Sequence, residues 1–150
     1  MGFAAPSLKG RALRLLSQRE HSRPELERKL AKYEEVPGTL AQALDELAAK
    51  DFISESRVVQ SVINQRASRM GAARVRQELQ QKGVAPEAIS EAVAQLKDSE
   101  QARAREVWRR RFDALPQDAK ERAKQARFLM ARGFSAAVVG KVLRSELDDE

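Results

Sequence analysis

One pattern of apolar residues recurs three times along this chain, and that recurrence limits its possible folds more than any other feature. From Arg74 the sequence runs Arg-Val-Arg-Gln-Glu-Leu-Gln-Gln-Lys-Gly-Val-Ala-Pro-Glu-Ala-Ile-Ser-Glu-Ala-Val. Shifted back by 49 residues, Val75, Leu79, Ile89, Val93 and Leu96 fall on Leu26, Leu30, Leu40, Leu44 and Leu47. Shifted forward by 50, Leu79, Gly83, Val84, Ile89 and Val93 fall on Leu129, Gly133, Phe134, Val139 and Leu143. Within each helical stretch, steps of three and four place these residues on one face. A period near 50 residues with helical spacing marks an array of helical units, each burying part of its surface against its neighbours. Such arrays display a long surface to a partner and seldom enclose a reaction.

Punctuation residues divide each copy into three helices. In the first, a helix is expected from Leu8 to Arg19, and Ser22-Arg23-Pro24-Glu25 then matches a capping box. Pro24 is tolerated there because first-turn amides have no intrahelical partner. A short second helix ends near Tyr33, Val36-Pro37-Gly38 breaks the chain, and a third helix spans Leu40 to Lys50. The second copy is read as helices over Glu55–Arg69, from Gly71 to Lys82, and over Pro86–Lys97. The third is read as Glu100–Leu115, a helix starting at Asp118 with Glu121, and Ala136–Leu147 capped by Ser135. Nothing alternates with period two over a useful length. The expectation is therefore all-α: nine helices in a tandem array of three three-helix, helix-turn-helix-like repeats, elongated and curved. The units span 8–53, 54–98 and 99–147, with a tail at 1–7 and an acidic tail at 148–150.

Composition excludes several classes. The chain has no cysteine, so neither disulfides nor thiolate metal sites form. No run approaches the roughly 18 apolar residues of a membrane span. Met1–Ser7 is too short and too weakly basic for a secretory signal, and a cytoplasmic location is expected. No glycine-rich phosphate loop, zinc spacing or calcium loop occurs. His21, the single histidine, has no orienting partner or nucleophile at recognisable spacing and is read as structural. Glu34 and Glu35 lie near a turn and read as solvated. An enzyme, a cofactor and a metal are all unexpected. The net charge is +6, which draws the chain to polyanions, either nucleic acid or an acidic protein surface. It rises along the array: nine Lys/Arg against eight Asp/Glu in 9–53, seven against five in 54–98, and twelve against nine in 99–150.

Ala104, Val107, Trp108, Phe112 and Leu115 share one side of a helix and read as core, with base stacking by Trp108 the less favoured reading. Arg103 and Arg110 project opposite that stripe. Arg66 and Arg69 continue the stripe of Val58 and Val62, as if their helix had run past its core and turned these groups outward. Arg74 and Arg76 lie about 160° apart around the next helix. Glu25 and Glu27 occupy the matching places in the first unit, so matched scaffolds carry inverted charge.

Two stretches resemble a known family. Ala-Leu-Arg-Leu-Leu-Ser-Gln-Arg-Glu-His-Ser-Arg-Pro-Glu-Leu-Glu-Arg-Lys-Leu, Ala12 to Leu30, resembles the N-terminal signature of the bacterial RecX regulatory proteins. Asp51-Phe52-Ile53-Ser54-Glu55-Ser56-Arg57, followed by Arg66 to Val84, resembles the central one. Val58 stands where the family tends to carry an aromatic, and Gln125 stands where the first two units have Leu26 and Val75. The resemblance implies a non-enzymatic protein that enters the groove of the RecA filament on single-stranded DNA. There it would limit filament growth, ATP hydrolysis, strand exchange and repressor cleavage. It points to Arg66, Arg69, Arg74, Arg76 and Lys82 as partner-binding residues, meeting acidic groove residues of RecA or nearby DNA phosphates. The competing reading is a basic helix-turn-helix-like DNA-binding protein. Against it, the third helices begin Thr39-Leu40-Ala41, Pro86-Glu87-Ala88 and Ser135-Ala136-Ala137, which are poor in base-reading groups.

Overall fold

The structure is a computed structural model that describes residues 5–144; part of the tail at 1–7, the end of the last expected helix and the acidic 148–150 tail lie outside the described residues. Eight α-helices run in order: α1 Leu8–Gln18, α2 Arg23–Leu30, α3 Thr39–Ala49, α4 Glu55–Arg66, α5 Ala72–Gln81, α6 Pro86–Arg111, α7 Ala119–Ala131 and α8 Ala136–Val142. A 3-10 turn, Ala31–Tyr33, extends α2. Among the described residues there is no strand.

The helix starts are set by local chemistry. Side-chain oxygens of Ser7, Ser22, Ser54, Asp118 and Ser135 each accept a first-turn amide. At Ser22 the box is complete, because the Glu25 carboxylate also accepts the Ser22 amide at 3.0 Å. Gly83 and Gly133 follow α5 and α7 with φ of +75° and +94°, the left-handed geometry that closes a helix.

Among the described residues the array has eight helices where nine were expected, because one boundary does not exist. Lys97-Asp98-Ser99-Glu100 contains neither glycine nor proline, and α6 runs through it as one 26-residue helix. Ser99 remains helical with its hydroxyl donating to the Leu96 carbonyl at 3.3 Å. The last helix of the second unit is thus also the first helix of the third. At the other end α6 stops at Arg111, ahead of Pro116, where Phe112 turns to extended backbone and meets Phe128 edge-on at 5.3 Å. Likewise α4 stops at Arg66, short of Arg69.

Three separate cores result. Ala12, Leu26, Leu30, Leu40, Leu44 and Leu47 fill the first. Val58, Val62, Val75, Leu79, Ile89, Val93 and Leu96 are among those filling the second. Ala104, Val107, Leu129, Phe134, Val139, Val142 and Leu143 fill the third. Each buried leucine or valine contributes roughly 1.5–3 kcal/mol. Small separate cores leave much surface: 9847 Å², against roughly 7,700 Å² for a compact monomer of this mass.

The units join by their second helices, α2, α5 and α7, stacked end to end. The C-terminal end of α7 meets the N-terminal end of α5, where Gly71 N–H donates to the Arg132 carbonyl at 2.8 Å and Ala73 N–H to the Gly133 carbonyl at 3.3 Å. The C-terminal end of α5 meets the N-terminal end of α2, where the Ser22 hydroxyl donates to the Lys82 carbonyl and Arg28 donates to the Gln81 carbonyl at 2.9 Å. These are one junction made twice, since Ser22 matches Gly71 at 49 residues and Lys82-Gly83 matches Arg132-Gly133 at 50. At the α7–α5 end the orphan carbonyls take backbone amides, and at the α5–α2 end they take side-chain donors.

Candidate interaction surface

Arg66 and Arg74 come together in one groove, between the end of α4 and the face of α5. Met70, Gln77, Glu78 and Gln81 complete it, and its volume is about 310 Å³. Helix α5 supplies Arg74, Gln77, Glu78 and Gln81 because steps of three and four share a face. Arg66 is held by Glu78, with Nε 3.0 Å and Nη2 3.4 Å from the two carboxylate oxygens. Its charge is therefore partly matched within the unit rather than turned outward. Arg74 is exposed and donates to Gln77 at 3.4 Å, while the Gly133 turn of the third unit rests on its backbone and side-chain stem. Arg69 is exposed on the adjoining turn, its guanidinium donating to the Gln65 carbonyl at 3.2 Å. Arg76 is exposed on the opposite side of α5. Lys82 lies at the far end of the helix with its ammonium 3.5 Å from Glu25. The five residues thus form a two-arginine groove with Arg69 beside it, while Arg76 and Lys82 face other surroundings.

Lys82 belongs to a charged knot between the first and second units. Burial acts to raise the pKa of the Glu25 carboxyl, but the Arg19 guanidinium at 2.7 Å, the Ser22 amide and the Lys82 ammonium outweigh it, lowering it to about 2. His21 is buried beside it, with Nδ1 3.0 Å from the Arg19 carbonyl and Nε2 3.1 Å from the Lys29 ammonium. Burial, aided by the Arg19 and Lys29 charges, lowers its pKa from the usual 6.5, so the ring is neutral and its Nε2 accepts from Lys29. The lone histidine is a structural link. Glu34, expected to be solvated, is half-buried and accepts the Leu40 amide at 2.8 Å, completing the start of α3.

Two polar groups that read as surface or as misfits prove to be internal. Arg103 reaches the α4–α5 turn, donating to the carbonyls of Ala67 at 2.9 Å and Met70 at 2.7 Å. It lies opposite the third core, as the helical stripe requires, but α6 is shared, so that side faces the second unit. Gln125, in the place of an apolar residue, is buried and accepts the Trp108 indole N–H at 2.8 Å while donating to the Ala114 carbonyl at 3.1 Å. Trp108 packs against the third core, as its stripe indicated. An unpaired Gln in one repeat and a Trp one helix earlier were the only sequence signals of that bond.

The third helices show no reading edge. Ser135 caps its own helix by accepting from Val138 at 3.2 Å, and the Thr39 hydroxyl donates to the Val36 carbonyl at 2.7 Å. Among the described residues no group of three or more His, Cys, Asp or Glu could hold a metal ion, and no helix is long and apolar enough to cross a membrane.

Fold and surface together define a tandem helical-repeat protein of three helix-turn-helix-like units that presents charged grooves at its unit faces. Family models for the first, second and third three-helix domains of RecX match residues 9–47, 54–93 and 98–143. The chain belongs to the RecX family. It is 54% identical over 138 residues to the regulatory protein RecX of Leptothrix cholodnii, covering 92% of this chain and 88% of that one. To the regulatory protein RecX of Ralstonia nicotianae it is 49% identical, covering 95% and 92%. The crystal structure of RecX from Lactobacillus salivarius has the same fold, with a TM-score of 0.77 over 95% of this chain and 96% of that one, at 19% identity.

Proposed function

We propose that this chain is a non-enzymatic, cytoplasmic regulator that binds the RecA filament and restrains its extension, ATP hydrolysis, strand exchange and co-protease activity. The observation that carries this reading is family membership across all three units, which matches the regulatory RecX proteins nearly end to end. An elongated array of rigid units suits a partner whose own surface repeats, because successive units meet successive protomers. Arg69, Arg74 and Arg76 are the exposed cations of the central signature and make the contacts with acidic filament residues or DNA phosphates. Arg66 and Lys82, each beside a carboxylate of this chain, contribute by placing those surfaces and share the partner's charge when it docks.

Single-stranded-DNA-dependent ATP hydrolysis by the cognate RecA tests this, with the chain titrated in at limiting DNA and again at large excess. Inhibition should persist in excess DNA, because the target is the recombinase. Replacing Arg69 and Arg74 together should weaken inhibition about tenfold or more, at unchanged helical content. Full inhibition by the folded double variant would overturn the site assignment. Inhibition abolished by excess DNA would instead favour the DNA-binding reading.

A further inference from the structure

A groove of the first unit is lined by the counterparts of Gln77, Glu78 and Gln81, which line the Arg66–Arg74 groove, and it has a different chemistry. Helix α1 contributes Arg11, Arg14, Leu15 and Gln18, one stripe at steps of three and four, and the end of α2 with its 3-10 turn contributes Arg28, Lys29, Leu30, Lys32 and Tyr33. Its volume is about 420 Å³, and no carboxylate lines it. Among the described residues none of its five cations pairs with an Asp or Glu, although Arg28 and Lys29 each make one hydrogen bond to a neutral group. In the second unit Gln77, Glu78 and Gln81 stand in the places of Arg28, Lys29 and Lys32, and Glu78 neutralises Arg66 there. The positive groove is therefore a property of this unit and not of the repeat. It is also hidden from composition, because the unit's net charge is only +1, its acidic residues lying on other faces.

One side chain in this groove is not a cation. Tyr33, the only tyrosine of the chain, is 39% exposed, and the Arg11 guanidinium lies 3.7 Å from its ring centroid. An exposed ring stacked on a guanidinium is a flat, π-rich platform, and the cations flanking it match a chain of phosphates. An acidic peptide would use the charges but has no need of the platform.

We propose that the α1–α2 groove binds a single strand of nucleic acid, with a base on the Tyr33–Arg11 platform and adjoining phosphates on Arg14, Arg28, Lys29 and Lys32. This site is separate from the central-signature arginines, and testing it needs no recombinase, so its failure would leave the filament reading untouched. Repeating the ATP-hydrolysis titration with the Tyr33→Ala chain keeps this groove's own affinity for DNA out of that comparison.

With ring-labelled tyrosine the protein gives one aromatic spin system from Tyr33, which can be followed during titration with a thymidine strand of about 12 nucleotides. The ring resonances should move upfield with this strand and should not do so with an abasic strand of equal length and charge. Tyr33→Phe should bind the thymidine strand as the native chain does, and Tyr33→Ala about five- to hundredfold more weakly, at unchanged helical content. Arg14→Ala and Lys32→Ala should each reduce the slope of log affinity against log salt by about 0.7. Unmoved Tyr33 resonances, equal shifts with the abasic strand, or equal binding of polyglutamate at the same salt would overturn the proposal.

Discussion

The two junctions of the array share one topology but are built from different bonds. Between the second and third units the contact is backbone on backbone: Gly71 and Ala73 amides donate to the Arg132 and Gly133 carbonyls, and a Cβ on Gly71 would collide with the Gly133 backbone. The shared helix α6 adds covalent continuity, Arg103 ties the α4–α5 turn to it, and the buried Glu100 carboxylate accepts the Ala72 amide at 3.2 Å. Between the first and second units every specific bond has a side chain in it: the Ser22 hydroxyl, Arg28, the Lys82–Glu25 pair, and Arg57 with Glu20 at 3.0 Å. Those units are linked by a short turn in which Asp51 adopts φ +66°. Backbone atoms cannot be repositioned without moving a helix, whereas side-chain pairs adjust and respond to pH and salt. The last two units therefore behave as one body, and the first is the part of the array whose attachment can be tuned.

The sharpest way to break this contrast is Gly71→Ala. The new methyl meets backbone that has no room to yield, and the variant should lose about 3 kcal/mol with units two and three unfolding together in urea. Gly133→Ala and Gly83→Ala are the matched pair, both carrying the strain of a left-handed φ. The Gly133 methyl meets the Arg74 backbone, whereas the Gly83 methyl meets the Pro24 ring and the first unit can shift, so Gly83→Ala should cost less than Gly133→Ala. Equal losses would erase the distinction. Next comes Arg103→Ala, which strips donors from the Ala67 and Met70 carbonyls and should cost about 2 kcal/mol. Arg103→Lys should not restore it, because one ammonium cannot reproduce the fork. An unchanged urea midpoint would show that the tie is dispensable.

The smallest effect is expected at Glu25→Gln, about 1–2 kcal/mol at neutral pH. Its folded-state pKa lies near 2, below the ordinary carboxyl value, so its stabilisation is complete above about pH 5 and is lost as pH falls toward 2. The native chain should show that loss as faster amide exchange in α1–α3 while α5–α8 stay protected, and the Gln variant should show no such step. A native chain whose three units lose protection together would contradict the separable first unit.

Sequence signals that act over one turn of helix were legible. The Ser22–Glu25 box, Pro86 at a first helical position, the Asp118 and Ser135 caps and the Gly83 and Gly133 stops all lie where the residues indicated. The apolar periods likewise located all three cores. The helix count was less legible, because Asp98-Ser99 has weak helix propensity and reads as a break, yet packing on both sides carries α6 through it. Of the five cations read as partner-binding, Arg69, Arg74 and Arg76 are exposed, as that role needs, while the partners of Arg66 and Lys82 were not legible. Glu78 is twelve residues from Arg66, and Glu25 is 57 from Lys82, beyond any local spacing rule.

By itself, then, the sequence determined the all-helical class, the three-fold repetition, the ends of most helices and the membership of each core. These depend on backbone hydrogen bonding and on periodicity within about four residues. Only the tertiary structure decided that α6 serves two units, that α2, α5 and α7 stack end to end, and that Arg103 and Gln125 are internal. It also decided that five cations of a nearly neutral unit share one groove with Tyr33. Burial and pairing at those places depend on which surfaces meet across 17 to 61 residues, and no local preference encodes that distance.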